Sequence, residues 1–269
     1  MEKSRRDFLK IAGITILGAG AGSLISGVSI SSANESAHKA GSEFFKNPKA
    51  LTAKRWGMVV DTRKLTDEIC EKMQNACHRS HNVPDFIKKF GKKEKNHEIK
   101  WIWETGFENA FPGREIEFPR ENLEDLPVVV MCNHCENPPC VRACPTQATF
   151  KREDGIVMMD YHRCIGCRFC MAACPFGSRS FNFRDPRVAI FDQNPDFPTR
   201  TKGVVEKCNF CAERLAVGKL PLCVEASEGA LVFGDLDDPK SDIRKILADN
   251  YTIRRKSELG TNPSVFYII

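Results

Sequence analysis

The amino-acid sequence predicts an α+β fold assembled from short strand, helix, strand units that carry loops of cysteine. Three observations lead there. Eleven of the thirteen cysteines fall between residues 132 and 223 in tight groups built on C-x2-C spacing, whereas a disulfide-stapled secreted scaffold spreads its cysteines through a short chain. Short β-branched runs enter those groups, and short helical patterns follow them. With 269 residues, 42% of them hydrophobic, the chain can bury a sizeable core and is too apolar for intrinsic disorder. A net charge of only +5 gives no basic footprint for nucleic acid.

The N-terminus reads as an address. Ser4-Arg5-Arg6-Asp7-Phe8-Leu9-Lys10 is a twin-arginine motif, and the run from Ile11 to Ile30 is uncharged with five glycines. Residues 1–33 are therefore expected to be a Tat export signal, placing the body at the periplasmic face of the cytoplasmic membrane. Ser31 and Ala33 suit cleavage after Ala33. The run also has bilayer-spanning length, so an uncleaved anchor is the alternative. Gly18 to Gly22 superficially matches a dinucleotide loop but has no strand before it. The route carries folded proteins and suits a cofactor inserted in the cytoplasm.

In the body, Trp56–Asp61 alternates as a strand. Lys88–Lys95 is expected to be a solvated basic loop, and Trp101 and Trp103 to alternate on a strand within Lys100–Thr105 as core or interface. Leu126–Met131 is a β-branched strand entering the first dense cysteine group. Ala143–Thr149 follows as a turn or helix, Gly155–Asp160 as the returning strand, Arg168–Ala173 as a helix and Ser180–Phe183 as a strand.

Two motifs stand on this frame. Cys132-x2-Cys135-x4-Cys140-x3-Cys144-Pro145 precedes Cys164-x2-Cys167-x2-Cys170-x3-Cys174-Pro175, and the second is the bacterial ferredoxin run residue for residue. Three closely spaced thiolates wrap one cubane, while the proline-terminated fourth ligates the neighbouring one. One 4Fe-4S cluster is thus expected on Cys132, Cys135, Cys140 and Cys174, and a second on Cys164, Cys167, Cys170 and Cys144. Gly166 leaves space for backbone near the sulfurs, and Ile165, Phe169 and Phe176 are expected to shelter them. His134, inside the first loop, is placed to tune a potential through an N–H near sulfur. Paired C-x2-C knuckles also bind zinc, but zinc needs neither the third cysteine at x2 spacing nor the terminal Cys-Pro.

A third group, Cys208-x2-Cys211 and then Cys223, has three cysteines, with Ser227 where a fourth would fall. Upstream lie Cys70 and Cys77, whose interval suits no cluster loop by itself.

These features together resemble the periplasmic four-cluster ferredoxin subunits of the DMSO reductase, polysulfide reductase, NrfC and HmcB type, over roughly residues 55–269. The features carried are Trp56–Asp61, Asn82-Val83-Pro84, both ferredoxin runs, Lys207-Cys208-x2-Cys211, Gly229–Asp235 and Leu259–Tyr267. The resemblance implies two ferredoxin-like units of the bacterial 2x4Fe-4S type with loop insertions, one nested in the other. The outer unit spans 55–90 and 186–234, an insertion 91–125, the inner unit 126–185 and a C-terminal docking tail 235–269.

In the family's crossed scheme, one outer cluster falls on positions that here carry Leu65, Cys70, Met73 and Ser227, and is expected to be lost. The other falls on Cys208, Cys211, Cys223 and Cys77, all present, so the resemblance implies three 4Fe-4S clusters and a spare Cys70. This three-cluster variant is most similar to the O-type iron-sulfur subunits of the Dsr or Hme membrane complexes of sulfur metabolism. The function implied is electron transfer between a periplasmic haem or other redox subunit and an integral NrfD-like quinone subunit, with membrane association through partners. A molybdopterin oxidoreductase subunit is the alternative within the family. His78 and His81 are expected to be hydrogen-bonding groups rather than ligands. No nucleophile elbow, P-loop or motif-borne pair of catalytic carboxylates occurs, which fits a non-catalytic relay better than an enzyme acting alone.

Overall fold

A computed structural model describes residues 47–112 and 126–269, which fall in one compact unit. The expected export signal and residues 113–125 of the expected insertion lie outside the described residues. The elements in order are β1 (Trp56–Asp61), α1 (Asp67–Ser80), α2 (Phe86–Phe90), β2 (Ile102–Gly106), α3 (Phe107–Ala110), β3 (Pro127–Met131), α4 (Pro139–Arg142), β4 (Thr149–Lys151), β5 (Val157–Met159), α5 (Phe169–Ala172), β6 (Ser180–Phe181), β7 (Val205–Glu206), α6 (Ala212–Leu215), α7 (Leu222–Glu225), β8 (Leu231–Asp235), α8 (Asp242–Asp249), β9 (Thr252–Ile253) and β10 (Val265–Ile268).

All six residues of β1 are buried, so both faces of this strand need cover. It sits inside a four-stranded sheet ordered β8-β1-β10-β9. Met58 lies opposite Phe233 of antiparallel β8 and opposite Val265 of parallel β10. Trp56, Met58 and Val60 enter the main core, while Val59 packs with Leu236, Ile268 and Ile243 of α8. Gly57 allows this approach, since a Cβ there would lie 2.5 Å from the Leu236 side chain. The stretch 235–269, expected as a docking tail, is therefore part of the body. The backbone groups along one edge of β1 require partners, and β10 supplies them.

The stretch 126–185 runs β3-α4-β4-β5-α5-β6, the expected strand, helix, strand order repeated. Its outer edges are closed by other parts of the chain. β3 pairs with β2, which lies in the expected insertion, and β6 pairs with β7. Residues 143–148 form a turn, the helix lying just before them in α4 and Thr149 opening β4. The lysines of the 88–95 stretch are exposed as expected, but they lie in helical turns, α2 and a 3-10 turn over Lys92–His97. Asp85 caps α2 by accepting the Lys88 N–H, a start signal just ahead of the lysines.

α1 likewise has its own cap, with the Thr66 hydroxyl accepting the Ile69 N–H at 3.3 Å. Asp67 and Glu68 occupy its first turn, where the helix dipole favours them. Cys70, Met73 and Cys77 recur at three- and four-residue intervals and make one buried stripe.

Behind this helix lies a buried charge network. Arg200 Nη2 is 2.6 Å from Glu206 Oε2, with both side chains at 0% exposure. Glu206 also accepts hydrogen bonds from Trp101 Nε1 and Asn182 Nδ2. Arg200 donates to the carbonyls of His81, Asn82 and Pro198. The network ties β7 to the turn after α1.

Candidate metal centres

The cysteines converge in three sets of four. Cys132 and Cys135 from the loop after β3, Cys140 from α4 and Cys174 from beyond α5 line one cavity, together with Asn133 and Arg179. Burial and then the neighbouring cysteines push the Cys135 thiol up to about 12. A second cavity is lined by Cys144, Cys164, Cys167 and Cys170, together with Thr149 and Met159. The Cys144 thiol is lowered despite its burial, because the backbone N–H groups of Thr149, Thr146 and Ala148 and the Thr146 hydroxyl face its sulfur. In the third set Cys77 reaches across from α1. Burial first, and then Cys211, Cys208 and Cys223, hold its thiol well above the ordinary range.

Cys70 stands apart from all three. Burial and then the Glu104 carboxylate push it up to about 12, the behaviour of an inert core thiol. Leu65, Cys70 and Met73 belong to the main core. Ser227 is buried, donating to the Val224 carbonyl at 2.8 Å and accepting the Leu231 N–H at 3.0 Å. The four positions of the expected lost cluster thus serve packing and a turn.

The loops curl through left-handed backbone at Gly166, Arg168, Phe210 and Cys211, a geometry that gathers N–H groups toward an anion. Phe210 N–H points at Cys208 Sγ at 3.4 Å. At Gly166 φ is +70°, and a Cβ would sit 2.4 Å from the Gly203 carbonyl oxygen, so glycine is required there by a close backbone approach. Phe176 shelters the first set at 5% exposure, but Ile165 and Phe169, expected to do the same, are 67% and 60% exposed. They flank Cys167, itself exposed, because the second set lies at the protein surface.

The histidines have other work. His134 is buried, which keeps it well below the ordinary range and neutral. Its Nδ1 accepts the Val157 N–H at 3.0 Å and its ring stacks on Phe210 at 3.7 Å. Nε2 is buried with no hydrogen-bond partner among the described residues. The two ring nitrogens of His81 face the Cys77 carbonyl and Glu213 Oε1, both at 2.8 Å. Ligand atoms of His81, Glu213 and Cys211 lie within 4.8 Å of one another, but Cys211 belongs to the third set, which leaves the other two as its neighbours.

Fit to a cluster can be judged from the donors. Crowded buried thiols keep their protons unless a metal exchanges for them, and thiolates are the ligands that 4Fe-4S clusters take. The cavity of the first set also contains residues with unspent polar atoms, Asn133 Nδ2 and Oδ1 and Arg179 Nη2, all buried and without a partner. The residues fit the group. A cluster bound there supplies a one-electron carrier whose potential follows hydrogen bonding, charge and burial.

Comparison with known proteins agrees. The 4Fe-4S dicluster domain family matches residues 126–189. Over nearly its whole length the chain is similar to the Hdr-like menaquinol oxidoreductase iron-sulfur subunit 1 of Archaeoglobus fulgidus, with 40% identity across 98% of this sequence and 97% of that one. The protein belongs to the iron-sulfur electron-transfer subunits of membrane oxidoreductases. Other members of the family are similar to it too. The menaquinone reductase iron-sulfur cluster-binding subunit of Nitratidesulfovibrio vulgaris is 35% identical over 80% of this sequence and 88% of its own. The B subunit of the polysulfide reductase of Wolinella succinogenes is 35% identical over 80% and 95%.

Within this iron-sulfur subunit, sequence reasoning passed over Arg179 and Glu213. Neither lies in a cysteine motif. The available signal was a lone arginine four residues after Pro175, in a stretch otherwise small or aromatic.

Proposed function

We propose that this subunit relays electrons through three 4Fe-4S clusters, held by Cys132, Cys135, Cys140 and Cys174, by Cys164, Cys167, Cys170 and Cys144, and by Cys208, Cys211, Cys223 and Cys77. The observation that carries the count is the gathering of twelve thiols into three sets of four while Cys70 joins none. The relay runs between a periplasmic haem or other redox subunit and an NrfD-like quinone-reacting membrane subunit, in dissimilatory sulfur metabolism. Relatives named for menaquinol and menaquinone support the quinone end of that assignment, and one named for polysulfide supports its sulfur chemistry. Exposed Ile165 and Phe169 beside Cys167 support docking of a redox partner at the second set, since apolar surface at a site mouth favours a protein contact.

No helix among the described residues is long and apolar enough to cross a membrane, which supports attachment through partners. Detergent extraction of native membranes is expected to yield the subunit with an integral quinone-reacting protein and a redox partner. Recovery with a molybdopterin subunit favours the alternative complex, and recovery alone in the soluble fraction overturns the assignment. Twin-arginine export supplies the location. Arg5→Lys with Arg6→Lys is expected to strand a fully loaded subunit in the cytoplasm, because the pair is read by a receptor and not by the fold. Unchanged export of that variant in cell fractions refutes the periplasmic placement.

A further inference from the structure

Arg179 lies in the wall between the first two cysteine sets. It is only 5% exposed, a costly place for a charge that lacks nearby anions. The residue before it, Ser178, is anchored through its hydroxyl to the Met131 carbonyl at 3.0 Å, which fixes the backbone next to the first loop. Nη1 donates to Thr149 Oγ1 at 3.1 Å and contacts Met159 Sδ at 3.2 Å. Both of those residues line the cavity of the second set. Arg179 itself lines the cavity of the first set, and its Nη2 is buried with no hydrogen-bond partner among the described residues.

Its electrostatic neighbours divide the same way. Burial works against the guanidinium charge, and Cys140, Cys170 and Cys132 restore it. Cys140 and Cys132 belong to the first set and Cys170 to the second.

We propose that Arg179 is a shared positioning and tuning residue for the first two clusters, one buried cation whose N–H groups face the sulfurs of both. This rests on the cluster assignment above and goes beyond it. A fixed positive charge and N–H donors stabilise the reduced, more negative form of an iron-sulfur centre and raise its potential. Because the same guanidinium serves both sites, it links their potentials, so that they move together when it is changed. Arginine suits this role better than lysine, since its planar fork offers donors in two directions and stays charged when buried.

The test is an EPR-monitored redox titration of the full chain carrying Arg179→Gln, with iron content measured on the same samples. Removal of the cation is expected to weaken the reduced form of the first and second clusters by about tenfold each, a drop of about 59 mV for a one-electron centre. The third cluster keeps its potential. Arg179→Lys, which retains a charge but not the fork, is expected to give a smaller drop at the same two clusters and serves if the glutamine variant takes up too little iron. Fully loaded variants with unmoved potentials overturn the proposal, and so does an equal drop at all three clusters, the mark of a general structural change. Native protein with fewer than three clusters' worth of iron instead refutes the underlying assignment, whatever the variants do.

Discussion

Cys77→Ser loses one cluster and keeps two. The native protein is expected to carry about twelve irons, four for each cubane, and the variant about eight to eleven, according to whether the third site empties or keeps a three-iron remnant. The reason is geometric. The third set is completed from α1, far along the chain from Cys208, and burial together with the other three cysteines surrounds the Cys77 sulfur. Serine offers a hydroxyl in place of the thiolate. Cys70→Ser is the matched control, two turns earlier on the same buried stripe, and is expected to keep all twelve irons. Iron analysis and EPR of the reduced proteins decide it. Equal iron loss in the two variants removes Cys77 as a ligand, and about sixteen irons in the native protein would mean that a fourth site is filled by other groups.

The second large effect is on stability. Glu206→Leu leaves the Arg200 guanidinium fully buried without its carboxylate, a type of change that costs about 3–5 kcal/mol. For a chain of this size that corresponds to a fall on the order of 10 °C in the thermal midpoint, followed by circular dichroism and by loss of the visible absorbance of the bound clusters. Joining it to Arg200→Met removes the unpaired charge as well, and the double variant is expected to recover much of the loss. A single variant as stable as the native protein would show that the carbonyls of His81, Asn82 and Pro198 suffice for Arg200.

The residues that determine where metal goes were the most legible part of the sequence, because cluster loops demand thiols at fixed short spacing and proline after the remote one. The strand Trp56–Asp61 was legible as a strand, but it reads as alternating, whereas all six of its residues are buried. What escaped was whatever depends on distant pairing. Nothing local in Val265–Ile268 says that this apolar end is the parallel neighbour of β1 and not a free docking surface. Arg179 carries only the faint mark of a lone arginine after Pro175, since its role arises only when Thr149, Met159 and the cysteines of two loops meet around it. α1 was readable in principle from Thr66, Asp67 and the 70, 73, 77 spacing. Read as a degenerate cluster loop, the same residues conceal the helical period that organises them.

The pairing of β1 with β10 sets an order of events in folding. Met58 cannot meet Val265 until the whole stretch between them has been synthesised. Contacts of such long sequence separation are slow to form and weigh on the folding rate. Until then β1 has β8 on one side and an open edge on the other, which offers unpaired backbone groups to any passing strand. β10 therefore acts as a latch that protects the protein from pairing with its copies, and a nascent subunit cut short before Val265 is expected to aggregate even though all thirteen cysteines are already in place.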